Sequence, residues 1–383
     1  MFVSYNLRNS KEKMSSGFEY QFPAIRGIQA QREYYVSMCP MRLLPKLFQF
    51  DEEELAPELR AQRQLNRTRI PELSRYITEN VDNYVFSAIT VSIDADISFA
   101  PLPGQGEENR IGILKIPMSA RFIINDGQHR RAAIDVALRN NPELGDETIA
   151  VVFFMDKGLE RCQQMFADLN RYAIRPSTSL SILYDYRDET ARLVKSLIAE
   201  SDIFRDVVEL EKTSLAPRSR RLFTLSAIYH ATNELLNGRE ETTPEEDARF
   251  ALEFWEAVAA QMDEWNRVRE GQLTAGEVRK DFIHTNGVVL QALARTGRGL
   301  VIRYPKSWQK KLAGLKSIDW RRANSALWEG RALLGGQLSK GHQNVILTAN
   351  AIKRHLDLEL SEDEQRVEDA YKRGNNGAER KRE

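Results

Sequence analysis

Ile123-Ile124-Asn125-Asp126-Gly127-Gln128-His129-Arg130-Arg131-Ala132-Ala133-Ile134 carries an apolar run through Asn-Asp-Gly into a helix-forming run. That order predicts a strand, a sharp turn and a helix opening on His-Arg-Arg. Glycine in the turn permits a close backbone approach. The first amides of a helix lack intrahelical acceptors and its dipole favours negative charge, so such a corner can hold an anion. Guanidinium groups add forked donors for phosphate oxygens. Gly127, Arg130 and Arg131 are therefore candidate ligand-binding residues. Adjacent arginines on a helix cannot face the same way, so one is expected on ligand and the other outward or on an acid.

Working outward, Pro23 to Gln29 reads as a strand leading into a turn, and Tyr34 to Met38 as β-rich. Ile70 to Ile77 reads as a helix with Pro71 at its first position. Val85 to Ile93 reads as a strong strand that Ile97 to Ala100 extends, followed by a Gly/Pro loop over 101–109. Arg110 to Ile116, Ala120 to Asn125 and Ile149 to Met155 are further strands, with helices from Gly127 to Asn140 and from Gly158 to Leu169. From Ser177 onward the pattern becomes helical, over Leu180 to Glu200, Ser219 to Leu236, Pro244 to Val268, Phe282 to Thr296 and Asn344 to Leu358. The expected class is α+β: a mixed-sheet N-terminal domain over 18–176, a mainly helical region over 177–360 and a flexible basic tail over 361–383.

With 383 residues, two domains are the natural expectation. Lysine plus arginine and aspartate plus glutamate both total 55, so bulk charge makes no case for nucleic acid and a binding face must come from segregation. Three basic runs offer that: Arg60, Arg63, Arg67 and Arg69, the first three on one expected helical face; Arg218, Arg220 and Arg221; and Lys310 and Lys311 with neighbouring Lys306, Lys316, Arg321 and Arg322, interleaved with Trp308 and Trp320. Each could grip a phosphate backbone without reading its sequence. Cys39 and Cys162 read as free, buried thiols in a reducing compartment. The opening residues do not read as a signal peptide and no apolar run is long enough for a membrane span, so a cytoplasmic protein is expected.

Around the corner, Asp126 could accept from turn amides or hold a divalent ion, Gln128 could orient a water, and His129 could act as an acid or base. These three are catalytic candidates only if nucleotide is hydrolysed. There is no phosphate-loop or dinucleotide-binding glycine pattern, and no cluster with metal-ligand spacing, so no resident metal is expected. A second polar knot, Phe166 to Ser177, contains Asp168, Asn170, Arg171 and Arg175. If it faces the Asp126 turn, Asn170 and Arg175 join the ligand-binding set.

The run Ile124 to Arg130 matches the defining motif of DGQHR-domain proteins. Within them the chain most resembles the DndB family, encoded with the DNA phosphorothioation enzymes. Pro23 to Gln29, the Phe166 to Ser177 knot, Ile318-Asp319-Trp320 and Trp328-Glu329-Gly330-Arg331 share the resemblance. It implies a ParB/sulfiredoxin-like fold in which a Gly-x-x-Arg helix start, here Gly127 and Arg130, cradles nucleotide phosphates. It also implies a repressor in a restriction-modification setting, one that binds double-stranded promoter DNA of the modification cluster and is not itself the sulfur-transfer enzyme. Other DGQHR-domain proteins hydrolyse nucleotides, so an NTPase switch using nucleotide with Mg²⁺ is the alternative. A scaffold for the other phosphorothioation proteins is a third reading. A homodimer would suit a palindromic operator.

Overall fold

Strand β1 (Glu19–Gln29) buries Phe22 and Ala24 and exposes Gln21, Pro23 and Ile25, the period-two pattern of a half-buried strand. It turns through Ala30 and Gln31, both at positive φ, into β2 (Arg32–Pro40). A two-residue turn of that hand matches the twist of the strands it joins. The computed structural model describes residues 18–48, 66–159, 161–171, 176–239, 241–339 and 341–379. Two compact units make up the chain, Met1–Ile174 and Arg175–Glu383.

The first unit is built on a seven-stranded mixed sheet in the order β4-β5-β1-β2-β7-β3-β6. Strands β3 (Ile89–Asp94) and β7 (Thr148–Met155) run parallel, and every other neighbouring pair is antiparallel. The single long strand expected over 85–100 is two strands. β3 begins only at Ile89, and β4 (Ser98–Pro101) leaves it for the far edge of the sheet, against β5 (Ile111–Pro117). Asp94-Ala95-Asp96 supplies the physical break, since two carboxylates so close together do not continue an interior strand. Val85 to Ala88 stay outside the ladder.

Strand β6 (Arg121–Asp126) forms the other edge and feeds the helix that follows. The longer helices described in this unit are α1 (Arg69–Glu79), α2 (Gln128–Asn140) and α3 (Cys162–Arg171). Pro71 stands third in α1 rather than first, still within the turn where no intrahelical donor is lost. Gly158 and Leu159 both take positive φ, which delays the helix expected from Gly158 until Cys162. The core joins Phe22, Ile89, Val91, Ile124, Ile134 and Phe153.

The second unit is helical around a separate core that includes fully buried Trp255, Trp265 and Trp328. Its main helices are α4 (Thr178–Tyr184), α5 (Glu189–Glu200), α6 (Leu225–Leu236), α7 (Pro244–Ala259), α8 (Asp263–Arg269), α9 (Ala275–Asp281), α10 (Gly287–Arg303), α11 (His342–His355) and α12 (Glu362–Glu379). Two long helices expected here are each divided, and the N-cap of the next helix shows where one break falls: Asp188 caps α5. Thr224 moves the start expected at Ser219 to Leu225, and Asn286 moves the start expected at Phe282 to Gly287. Capping boxes at Thr243 and Thr274 fix the starts of α7 and α9.

The expected flexible tail is instead helical over Glu362–Glu379. Its anchor is ionic. Glu364 accepts from Lys353 and Arg295, and Glu368 accepts from Arg331, Arg354 and Asn350. Both glutamates are almost wholly buried, so carboxylates stand where a sequence pattern looks for apolar residues.

Candidate functional site: the Asp126–Arg131 corner

β6 ends on Asp126, and Gly127 takes a left-handed conformation at φ 101° before α2 begins. A side chain there would meet Ile89 Cγ1 at 3.0 Å and the Arg130 guanidinium at 3.1 Å. Arg130 folds back over this turn, donating to Asp126 Oδ2 at 2.6 Å and to Ser87 Oγ. Asp126 remains half exposed at 49%, whereas Arg130 is covered to 18%. Arg130 is therefore already partnered, and any anion at the corner meets an Asp–Arg pair rather than a free guanidinium. Arg131 points elsewhere, to the Pro45 carbonyl and to Asp135 3.7 Å away. Burial holds its guanidinium below the usual value.

The other motif residues divide between packing and surface. Asn125 is fully buried and donates to Ser92 Oγ and Met165 Sδ, which ties β6 to β3 and α3. Gln128 is turned inward, its amide donating to the Ile124 carbonyl at 3.2 Å. His129 Nε2 accepts the backbone N–H of Asn66 at 3.0 Å. Burial, then the charge of Arg69, hold its imidazole below the usual value. The ring is accordingly neutral with its proton on Nδ1.

That last contact brings together two elements that sequence reading kept apart. Asn66 Oδ1 also receives the Thr68 N–H and hydroxyl, forming the turn from which α1 starts. His129 sits in the first turn of α2. The starts of α1 and α2 thus adjoin, and neither Thr68 nor Gly127 caps its helix with a side chain. Two helix N-termini side by side, with Arg67 and Arg69 exposed in the approach, form a cationic surface independent of the Asp126–Arg130 pair. Asn66 and Ser87 were missed in the sequence, and Arg69 was read only as part of a basic run. Only Asn-x-Thr ahead of the α1 pattern hinted at a turn.

Of the remaining candidates, Arg60, Arg63 and Arg175 lie outside the described residues. Arg67 sits in the turn before α1, not on the helical face expected of it. Asn170 donates to the Phe166 carbonyl, and Asp168 accepts from Gln164, so both bonds stay inside α3. Arg218 and Arg220 are exposed, while Arg221 donates to the Asp206 carbonyl. Lys310 is exposed and Lys311 lies 4.4 Å from the Tyr304 ring centre. Trp308 and Trp320, expected among the surface cations, are core residues at 8% and 5% exposure. Arg321 is paired with Asp319, and Arg322 donates to the Gly336 carbonyl.

A family model for DndB, described as DNA-sulfur modification-associated, matches residues 22–359 and so takes in both units. The chain belongs to the DndB family. Membership of the DndB family associates it with DNA sulfur modification. No curated protein and no solved structure matches it. Among the described residues, no helix is long and apolar enough to cross a membrane.

Proposed function

We propose that the chain is a DNA-binding regulator of the phosphorothioate modification gene cluster and acts as a repressor at its promoter. The carrying observation is the loop that bears Arg218 and Arg220. Arg279 donates to four carbonyls of this loop, those of Ala216, Pro217, Ser219 and Arg221. Arg218 and Arg220 stand exposed on it with no carboxylate partner among the described residues. A neutral chain that holds unpaired guanidiniums on a pinned loop has segregated its charge, as phosphate-backbone contact requires. Family membership supplies the DNA-modification context. A homodimer would match a palindromic operator.

Fluorescence anisotropy with the cluster's own promoter duplex tests the reading. Affinity should fall steeply with salt, and the Arg218→Ala/Arg220→Ala variant should flatten the logarithmic salt slope by about 2. Equal affinity for a scrambled duplex at every salt concentration sinks the regulator reading.

A nucleotide-dependent switch is the second reading, favoured by the adjoining starts of α1 and α2. There a nucleotide with Mg²⁺ would lie across the two helix N-termini, with half-exposed Asp126 facing the metal. Phosphate release by the purified protein, lost in Asp126→Ala and Arg130→Ala, is its signature. Absence of both release and nucleotide-sensitive DNA binding removes it.

A further inference from the structure

The helical unit contains a cavity of about 530 Å³, distinct from the corner just described. The start of α6 contributes Thr224 and Ser226 to its wall, and the start of α10 contributes Thr285, Asn286 and Gln291. Arg279, His230 and further hydroxyl residues add to the polar lining, and among the described residues no carboxylate lines it. Leu215, Leu222 and Leu338 supply an apolar patch.

Three observations point to an anion here. Arg279 has no ion pair among the described residues, and its guanidinium donates to loop carbonyls instead. The starts of α6 and α10, helices of 12 and 17 residues, direct positive dipole ends to one space. Thr285 is only 7% exposed, lines the cavity and makes no side-chain hydrogen bond among the described residues. Its hydroxyl therefore opens on the cavity and is free to donate to whatever enters. The size exceeds a bare phosphate and falls within the range of small-ligand sites, and the leucines suit a base or sugar beside the anion.

We propose that this cavity binds a phosphate group, carried either by a free nucleotide or by the DNA backbone. Thr285 Oγ1, the dipole ends of α6 and α10 and the field of Arg279 hold the anion, and the leucine patch holds what it is attached to. The site stands independently of the corner and of the repressor reading.

Isothermal titration of the full chain tests this with inorganic phosphate, with nucleoside mono-, di- and triphosphates, and with promoter duplex. Gln291→Glu keeps the side-chain shape and places a carboxylate in a wall that has none. Thr285→Val keeps the volume and removes the free hydroxyl. Gln291→Glu should weaken binding at least about tenfold and Thr285→Val about fivefold, with melting temperatures unchanged and Arg130→Ala without effect. If free phosphate or a nucleotide shows these losses, the ligand is a small molecule. If only the duplex shows them, the cavity takes a backbone phosphate. Binding unaltered by both cavity variants, or no saturable binding by any probe, overturns the proposal. So does loss of binding in Arg130→Ala alone.

Discussion

Gly127 carries a strong local demand, because side-chain-bearing residues rarely adopt its φ of 101° and a Cβ there would crowd Ile89 at 3.0 Å. Gly127→Ala should cost about 1–2 kcal/mol through backbone strain alone and lower the thermal midpoint. A midpoint equal to wild type would mean that the turn relaxes freely. A second prediction concerns pH. His284 is fully buried, its Nδ1 accepting from Trp265 Nε1 at 2.9 Å and its Nε2 donating to Glu264 at 3.1 Å. Burial depresses its affinity for a proton, and the hydrogen bond to Glu264 only partly offsets that. The folded value lies below the unfolded one, near ~6.5, so this contribution is complete above that pH and is lost as pH falls. Denaturant midpoints should therefore drop between neutral and mildly acidic pH, and less so in His284→Gln. The strand–turn–helix at Asp126 was legible because Asn-Asp-Gly and the apolar run announce it. That Arg130 is spent on Asp126 and Ser87 was not, since Ser87 lies 43 residues away in sequence.

At the scale of elements, strands were readable where one face is wet and unreadable where both are covered. β1 and β2 alternate as expected, but β3 is buried along almost its whole length, including polar Thr90 and Ser92, so nothing in its pattern marks where it begins. Helix α12 shows the opposite failure. Its contacts are made by Glu364 and Glu368, residues that read as solvated charge. Burial alone would raise the Glu368 carboxyl, yet Arg331, Asn350 and Arg354 overcome it and hold the group below its usual range. Glu368→Ala leaves Arg331 only 12% exposed without its carboxylate and should destabilise the helical unit by about 3 kcal/mol or more. Chemical denaturation reads this directly. A loss under about 1 kcal/mol would show that α12 contributes no more than an exposed ion pair does.

At the scale of the whole molecule, the two units keep separate apolar cores, one on the sheet and one among the helices. The segment from residue 175 onward should accordingly fold alone, with a cooperative thermal transition and native-like helical circular dichroism. A non-cooperative melt would contradict that. The change in sequence character near Ser177 made the division readable, because alternating strands give way to helical spacing there. The cavity of the helical unit was not readable, since its wall draws on residues from Thr178 to Val345.

The sheet order also has a consequence for how the protein is made. β7 lies between β2 and β3, yet it is the last of the seven strands to leave the ribosome. Until Thr148–Met155 emerges, β4-β5-β1-β2 and β3-β6 exist as two separate ribbons, each with an open backbone edge where β7 will insert. Such edges recruit stray strands from other chains. The nascent sheet domain is thus most exposed to misassembly just before its central strand is synthesised, and a pause in translation ahead of Thr148 should lower the yield of soluble protein more than one placed after Met155.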